Sequence, residues 1–128
     1  MIILDSNIWI SSLDQDDSNH KKAKDLILSF QKDKIIITDY ILLEIATVLS
    51  KKKGKKIADD FINIALNNEN IEIWPYSSNV FYELVDFYLK QENKNISFVD
   101  YSLIYFSKKY NVKVETFDKI LKNSLKII

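Results

Sequence analysis

The amino-acid sequence predicts an α/β fold, a three-layer α/β/α sandwich around a central parallel sheet of four to five short strands. Runs of three or four apolar residues alternate along the chain with longer segments whose apolar residues recur at helical spacing. Strands that are apolar throughout are typical of a parallel sheet covered by helices on both faces. Because 128 residues suit one domain and no repeat or linker interrupts them, we expect a single domain over residues 1–128.

The predicted strands are short runs of β-branched or large apolar residues that stop at polar or turn-forming residues. The first, Ile2-Ile3-Leu4, ends at Asp5, and the third ends before Pro75. In chain order the predicted strands cover residues 2–4, 35–37, 71–74 and 112–115, and a last edge strand covers 126–128.

The predicted helices fill the segments between these strands. Residues 20–32 place Ala23, Leu26 and Phe30 on one face, and Thr38-Asp39 is a cap that starts the next helix. That helix is apolar almost all round and ends before Gly54. The predicted helices begin near Asn7 and then cover residues 20–32, 40–53, 55–68, 80–90, 97–110 and 117–124.

Composition excludes several kinds of site. The absence of cysteine rules out disulfides and thiolate metal sites, and the single histidine, His20, rules out a multi-histidine site. We interpret His20 as a surface residue without a role. No apolar run approaches the roughly 20 residues of a membrane span, and the first residues lack a basic signal-peptide start, so we expect a cytoplasmic protein without a membrane partner.

The charge balance argues against general binding of polyanions. All 18 basic residues are lysines and 18 residues are acidic, which gives a formal net charge of zero. Binding to nucleic acid would therefore depend on local patches. The one concentrated run contains Lys51, Lys52 and Lys53, which are candidates for contact with RNA phosphate. Their other interpretation is that they complement the dipole at a helix C-terminus.

Four acidic residues fall where ligands bind in parallel sheets, at the carboxyl ends of the strands. Asp5 ends the first strand, and Glu44 lies near the start of the helix after the second. Asp100 is in the first turn of the helix before the fourth strand, and Asp118 follows that strand. Carboxylates that converge there would suit a hard divalent cation such as Mg²⁺.

Each of these acids also has a purely structural interpretation. Asp5 can cap the helix that starts near Asn7, and Asp100 can form a capping box with Ser97. Asp118 can likewise belong to a cap at Thr116. Glu44 is the hardest to explain structurally, because a lone carboxylate on so apolar a helix carries a desolvation cost.

Four segments resemble the four motifs of the PIN-domain ribonucleases, in the family's order and spacing. A single such motif is weak evidence, whereas four in register are specific, and here they span the chain from Asp5 to Asp118. The segments are Asp5-Ser6-Asn7-Ile8-Trp9-Ile10, Thr38-Asp39-Tyr40-Ile41-Leu42-Leu43-Glu44-Ile45, Ile96-Ser97-Phe98-Val99-Asp100-Tyr101-Ser102-Leu103 and Thr116-Phe117-Asp118.

The resemblance implies a Mg²⁺-dependent or Mn²⁺-dependent endoribonuclease that hydrolyses RNA phosphodiester bonds. In length the chain is similar to the small VapC toxins of type II toxin–antitoxin pairs, which implies a cognate antitoxin protein and a homodimer. The lack of arginine departs from many relatives, so lysine would have to contact phosphate. The implied catalytic residues and metal ligands are Asp5, Glu44, Asp100 and Asp118, with Asn7 and Thr116 as supporting groups that orient them.

Two other functions stay open at this point. One is a PIN-like binding or scaffold module that has lost catalysis, although all four acids are present. The other is a PIN nuclease that acts in RNA processing or on DNA rather than a toxin.

Overall fold

The computed structural model describes residues 1–126, which contain four strands and seven helices. The strands are β1 (Ile2–Leu4), β2 (Ile35–Thr38), β3 (Ile71–Trp74) and β4 (Lys113–Glu115). The helices are α1 (Ser6–Leu13), α2 (His20–Ser29), α3 (Asp39–Lys53), α4 (Lys55–Asn67), α5 (Ser78–Leu89), α6 (Phe98–Tyr110) and α7 (Lys119–Lys126). Within residues 1–126 no helix is long and apolar enough to cross a membrane.

The four strands form one parallel sheet in the order β3-β2-β1-β4. Ile2 is in register with Ile35 of β2 and with Lys113 of β4. Every residue of β1 and β2 is buried. Because successive side chains of a strand point to opposite faces, helices must cover both faces of the sheet. The predicted α/β sandwich is confirmed.

The helices pack in two groups. In the first group, α1 contacts α2 and α3, and α3 contacts α4. In the second group, α6 contacts both α5 and α7. Helix α3 buries Ile41, Ile45 and Leu49 completely, at a spacing of four residues. Leu121 of α7 is equally buried. The apolar core therefore lies against β1 and β2, and the ends of these strands are fixed in place.

Most predicted boundaries lie within a few residues of the observed ones. Helix α3 begins at Asp39 because the Thr38 hydroxyl accepts a hydrogen bond from the Ile41 N–H. Gly54 joins α3 to α4 with φ 97° and ψ 160°, a conformation open essentially to glycine alone. Although its sequence is apolar almost all round, α3 is not buried on all sides, since Leu43 is 65% exposed.

The structure differs from three predictions, two near the C-terminus and one at His20. The last helix runs over Lys119–Lys126 rather than 117–124, and Lys126 is helical rather than part of an edge strand. The other residues of that predicted strand, 127 and 128, lie outside the described residues. His20 is half-buried rather than a free surface residue, because its Nδ1 lies 2.9 Å from the Ser11 carbonyl oxygen and joins α2 to α1.

Candidate metal centre

The order of the strands brings two distant parts of the chain together at one end of the sheet. From β1 the chain adds β2 and β3 on one side, then crosses back to add β4 on the other. Between β1 and β4 the direction of winding reverses, and ligands of open α/β sheets bind in the crevice at such a point. Asp5 follows β1 there and its N–H donates to the Glu115 carbonyl, 2.9 Å away.

Asp5 is a buried carboxylate, 5% exposed, with a partner for each oxygen. Its Oδ1 accepts from the Ser6 N–H at 2.7 Å, which caps α1, and its Oδ2 accepts from the Thr116 hydroxyl at 2.7 Å. Burial raises the pKa of Asp5 and outweighs these two hydrogen bonds, which lower it. Repulsion from Glu44 and Asp118 raises that pKa further.

Thr116 is the centre of the hydrogen-bond network around Asp5. Its hydroxyl donates to Asp5 and accepts from Asn7 Nδ2 at 3.2 Å and from the Asp118 N–H at 3.0 Å. One donor and two acceptor sites are all that a hydroxyl offers, so its capacity is used. Asn7 also accepts from the Phe117 N–H at 3.3 Å through Oδ1. The segment after β4 is thereby tied to the start of α1.

Asp100 approaches the same region from the first turn of α6. It is half-buried, and burial raises its pKa to about 6, with further contributions from the charges of Asp5, Asp118 and Glu44. Its N–H donates to the Ser97 hydroxyl at 3.1 Å, so Ser97 caps α6 as expected. This cap uses the backbone of Asp100, and a hydrogen bond from the Ser97 hydroxyl to the carboxylate partly offsets the rise in the pKa of Asp100.

Asp118 also has a structural task. Its Oδ1 accepts from the N–H groups of Ile120 and Leu121, at 2.9 and 3.0 Å, and so caps the start of α7. Glu44 lies half-buried on α3, one turn after Tyr40.

The four predicted acids are near enough for their negative charges to interact. Asp5 and Asp100 are both affected by Glu44 and by Asp118. Within residues 1–126, however, no three histidine, cysteine, aspartate or glutamate side chains converge closely enough to hold an ion as they stand. The arrangement is an acidic site with only oxygen donors, a set that suits hard divalent cations.

The lysine run lies elsewhere. Lys51 and Lys52 are exposed in the last turn of α3, and Glu44 is seven residues before Lys51, about 10 Å along the helix axis. Lys53 is engaged by Asp14, with Nζ 2.8 Å from Oδ1, and by Asp16 at 3.5 Å. Contact between these lysines and RNA stays a prediction, and the carboxylates of Asp14 and Asp16 compete for Lys53.

Two residues make contacts near the site that the sequence analysis did not predict. Ser6 supplies the N–H that holds Asp5, and its place directly after Asp5 was the available signal. Asp39 accepts from the Tyr76 N–H at 2.9 Å and joins the exit of β3 to the start of α3. Nothing local in the sequence indicates this second contact, because the two residues are 37 positions apart.

The fold and the site define an α/β sandwich with a buried aspartate at the switch point of its sheet, and the charges of Glu44 and Asp118 act on that aspartate. The chain belongs to the PIN domain family, whose model matches residues 2–124. No curated protein matches the chain in sequence.

Among solved structures the chain is similar to VapC20 of Mycobacterium tuberculosis, described as a toxin that cleaves the sarcin-ricin loop. The TM-score is 0.85 at 18% sequence identity, and the match covers 97% of this chain and 95% of that chain. At this identity the likeness establishes a shared fold.

Replacing Thr116 by valine tests the central hydrogen bond. Valine keeps the shape and removes the hydroxyl, so the buried Asp5 carboxylate and the Asp118 N–H lose a partner. We expect Thr116→Val to lower the free energy of unfolding by about 1–3 kcal/mol in urea denaturation at neutral pH. The matched control is Thr47→Val, because Thr47 is exposed and bonds only within α3. Equal losses of unfolding free energy in both variants would contradict the central role of the Thr116 hydroxyl.

The raised pKa of Asp100 predicts a pH-dependent stability in the absence of divalent metal. In the folded protein the pKa of Asp100 is about 6, above the ordinary 3.8, so folding favours the protonated carboxyl group. The stability that this group contributes is fully present below pH 3.8. This contribution is lost as the pH rises through about 6. In EDTA at about pH 7.5, Asp100→Asn should therefore raise Tm by about 3 °C.

The gain should vanish as the pH falls to about 4, where the parent carboxyl is protonated. Thermal unfolding followed by circular dichroism measures the Tm of each variant at both pH values. Asp33→Asn is the control, since Asp33 is exposed on the loop before β2. A gain in Asp100→Asn that is independent of pH would show that repulsion is not its cause.

Proposed function

We propose that the protein is a divalent-metal-dependent endoribonuclease and the toxin of a type II toxin–antitoxin pair. Membership of the PIN domain family and a fold shared with a VapC toxin support a nuclease. One observation supports the location of the proposed active site. The Thr116 hydroxyl bonds the Asp5 carboxylate across 111 residues of chain, so the first and fourth acidic motifs meet at the switch point.

The charges around Asp5 support a cation at this site. The charges of Glu44 and Asp118 raise the pKa of both Asp5 and Asp100 by repulsion, and a bound cation would offset that repulsion. Mg²⁺ and Mn²⁺ match an all-oxygen donor set, and Mg²⁺ usually keeps several waters, so the site does not need three convergent carboxylates. We propose that the ligands, direct or through water, are Asp5, Glu44, Asp100 and Asp118.

When bound, the ion would activate a water as nucleophile and stabilise the charge that develops on the attacked phosphate. The chain's own residues would orient the ligands. Thr116 and the Ser6 N–H hold both oxygens of Asp5, and burial limits their exchange with water. Asn7 fixes Thr116 and Phe117, and thereby the position of Asp118. Asn7 and Thr116 are thus proposed as positioning residues.

The proposed protein partners are a cognate antitoxin and a second copy of the chain. Large apolar side chains are exposed on two helices, Leu43 on α3 and Tyr82 on α5, at 65% and 71%. Exposed apolar side chains indicate contact with protein where they form a contiguous patch. The RNA substrate and these partners are proposals that rest on family membership.

Cleavage of RNA tests the proposed function. We expect purified protein to cut a mixed-sequence RNA in Mn²⁺ and to stop in excess EDTA. Asp5→Asn should reduce the rate about 100-fold or more, because the buried carboxylate is central to the proposed ligand set. Asp33→Asn, which removes an exposed charge away from the site, should cut at the parent rate.

A DNA strand of the same sequence distinguishes the other functions. Cleavage of DNA in preference to RNA would replace the ribonuclease assignment with a DNA nuclease. Equal cleavage of RNA by the parent and by Asp5→Asn would indicate a contaminating enzyme and contradict the assignment. Absence of cleavage, with Mn²⁺ bound and the fold intact, would favour a PIN-like binding module.

A further inference from the structure

RNA must bring phosphates close to an acidic site, and this requires positive charge nearby. The chain has no arginine and a net charge of zero, so the charge must come from individual lysines. Six of the 18 lysines are paired with carboxylates in the part of the chain that the structure describes. Among residues 1–126 the paired lysines are Lys53, Lys55, Lys56, Lys90, Lys109 and Lys113.

Lys22 is placed differently. It is exposed on α2 and forms no ion pair within the described part of the chain. Its Nζ lies 5.1 Å from the centre of the Phe117 ring, within the range of a cation–π contact. Phe117 lies between Thr116 and Asp118, so this contact holds an ammonium group beside the segment that carries two residues of the acidic site.

The position of Phe117 is itself fixed. Its N–H donates to Asn7 Oδ1, and its flanking residues are joined by the bond from the Asp118 N–H to the Thr116 hydroxyl. An aromatic ring orients an ammonium group without neutralising it, because the ring carries no net charge. Lys22 therefore keeps its charge and its hydrogen-bond donors for a ligand.

On the basis of the proposed nuclease function, we infer that Lys22 binds a backbone phosphate of the RNA at the edge of the acidic site. The segment after β4 forms this edge. The Phe117 ring orients the lysine. Because such a contact is made to the bound strand as well as during reaction, its loss raises KM and leaves kcat near the parent value.

The test compares Lys22→Gln with Lys24→Gln, which removes the same charge from the same exposed helix two residues later. Binding of a short fluorescein-labelled single-stranded RNA is measured in Ca²⁺ by anisotropy, from about 50 to 200 mM KCl. For Lys22→Gln we expect the affinity to fall about fivefold near 0.1 M salt and the slope of log K against log salt to become about 0.7 less negative. Lys24→Gln is expected to change neither quantity by as much as half of this.

Two further variants separate phosphate binding from a structural contact between α2 and Phe117. Lys22→Arg keeps the charge and should keep the parent salt slope. Phe117→Leu removes the ring but leaves the lysine, so it should weaken binding less than Lys22→Gln and keep most of the slope. Steady-state cleavage in Mn²⁺ should show a raised KM with little change in kcat for Lys22→Gln.

Each result decides a separate claim. If the parent binds and cleaves RNA while Lys22→Gln matches Lys24→Gln in slope and KM, the inference about Lys22 is wrong and the nuclease function stands. If Lys22→Gln lowers Tm but not the slope, the lysine is structural and the inference is again wrong. If the parent neither binds nor cleaves RNA, both the function and the inference fail.

Discussion

Burial of the Asp5 carboxylate is the constraint on which the site depends. An ionised carboxylate away from water is costly unless hydrogen bonds or an opposite charge compensate it. Here Ser6 and Thr116 supply hydrogen bonds to its two oxygens, yet burial still raises the pKa of Asp5, and Glu44 and Asp118 raise it further. The surroundings therefore hold the side chain firmly but do not fully compensate the negative charge of its ionised form, which is the condition expected of a ligand prepared for a cation.

The parallel sheet makes this arrangement possible. Strand β1 is buried throughout and pairs with β4, and the register of this pair sets Asp5 beside the Glu115 carbonyl and the Thr116 hydroxyl. Caps then serve two purposes at once. Asp5 caps α1 and Asp118 caps α7, so the same hydrogen bonds that start two helices also orient two carboxylates.

The sequence was sufficient for the four strands β1 to β4, most helix boundaries and the meeting of Asp5 with the segment at Thr116, because these depend on local apolar runs and on the topology of parallel sheets. The structural interpretation of the acids as caps is confirmed for Asp5 and Asp118, which cap α1 and α7, and their function as metal ligands stays a prediction. The contacts of individual lysines could not be predicted. Lys53 looked free in a lysine run but bonds Asp14, and Lys22 showed no pattern that placed it against Phe117.

The claim that acids from distant segments share one metal site is tested most directly by Mn²⁺ binding in isothermal titration calorimetry. The account predicts that the parent protein binds Mn²⁺ and that Asp5→Asn and Asp100→Asn each lose this binding while circular dichroism shows an intact fold. Because these residues are 95 positions apart in the chain, loss in both variants would join β1 and α6 in a single site. Absence of binding in the parent, or unchanged binding in either variant, would contradict the account and reduce Asp5 to a helix cap.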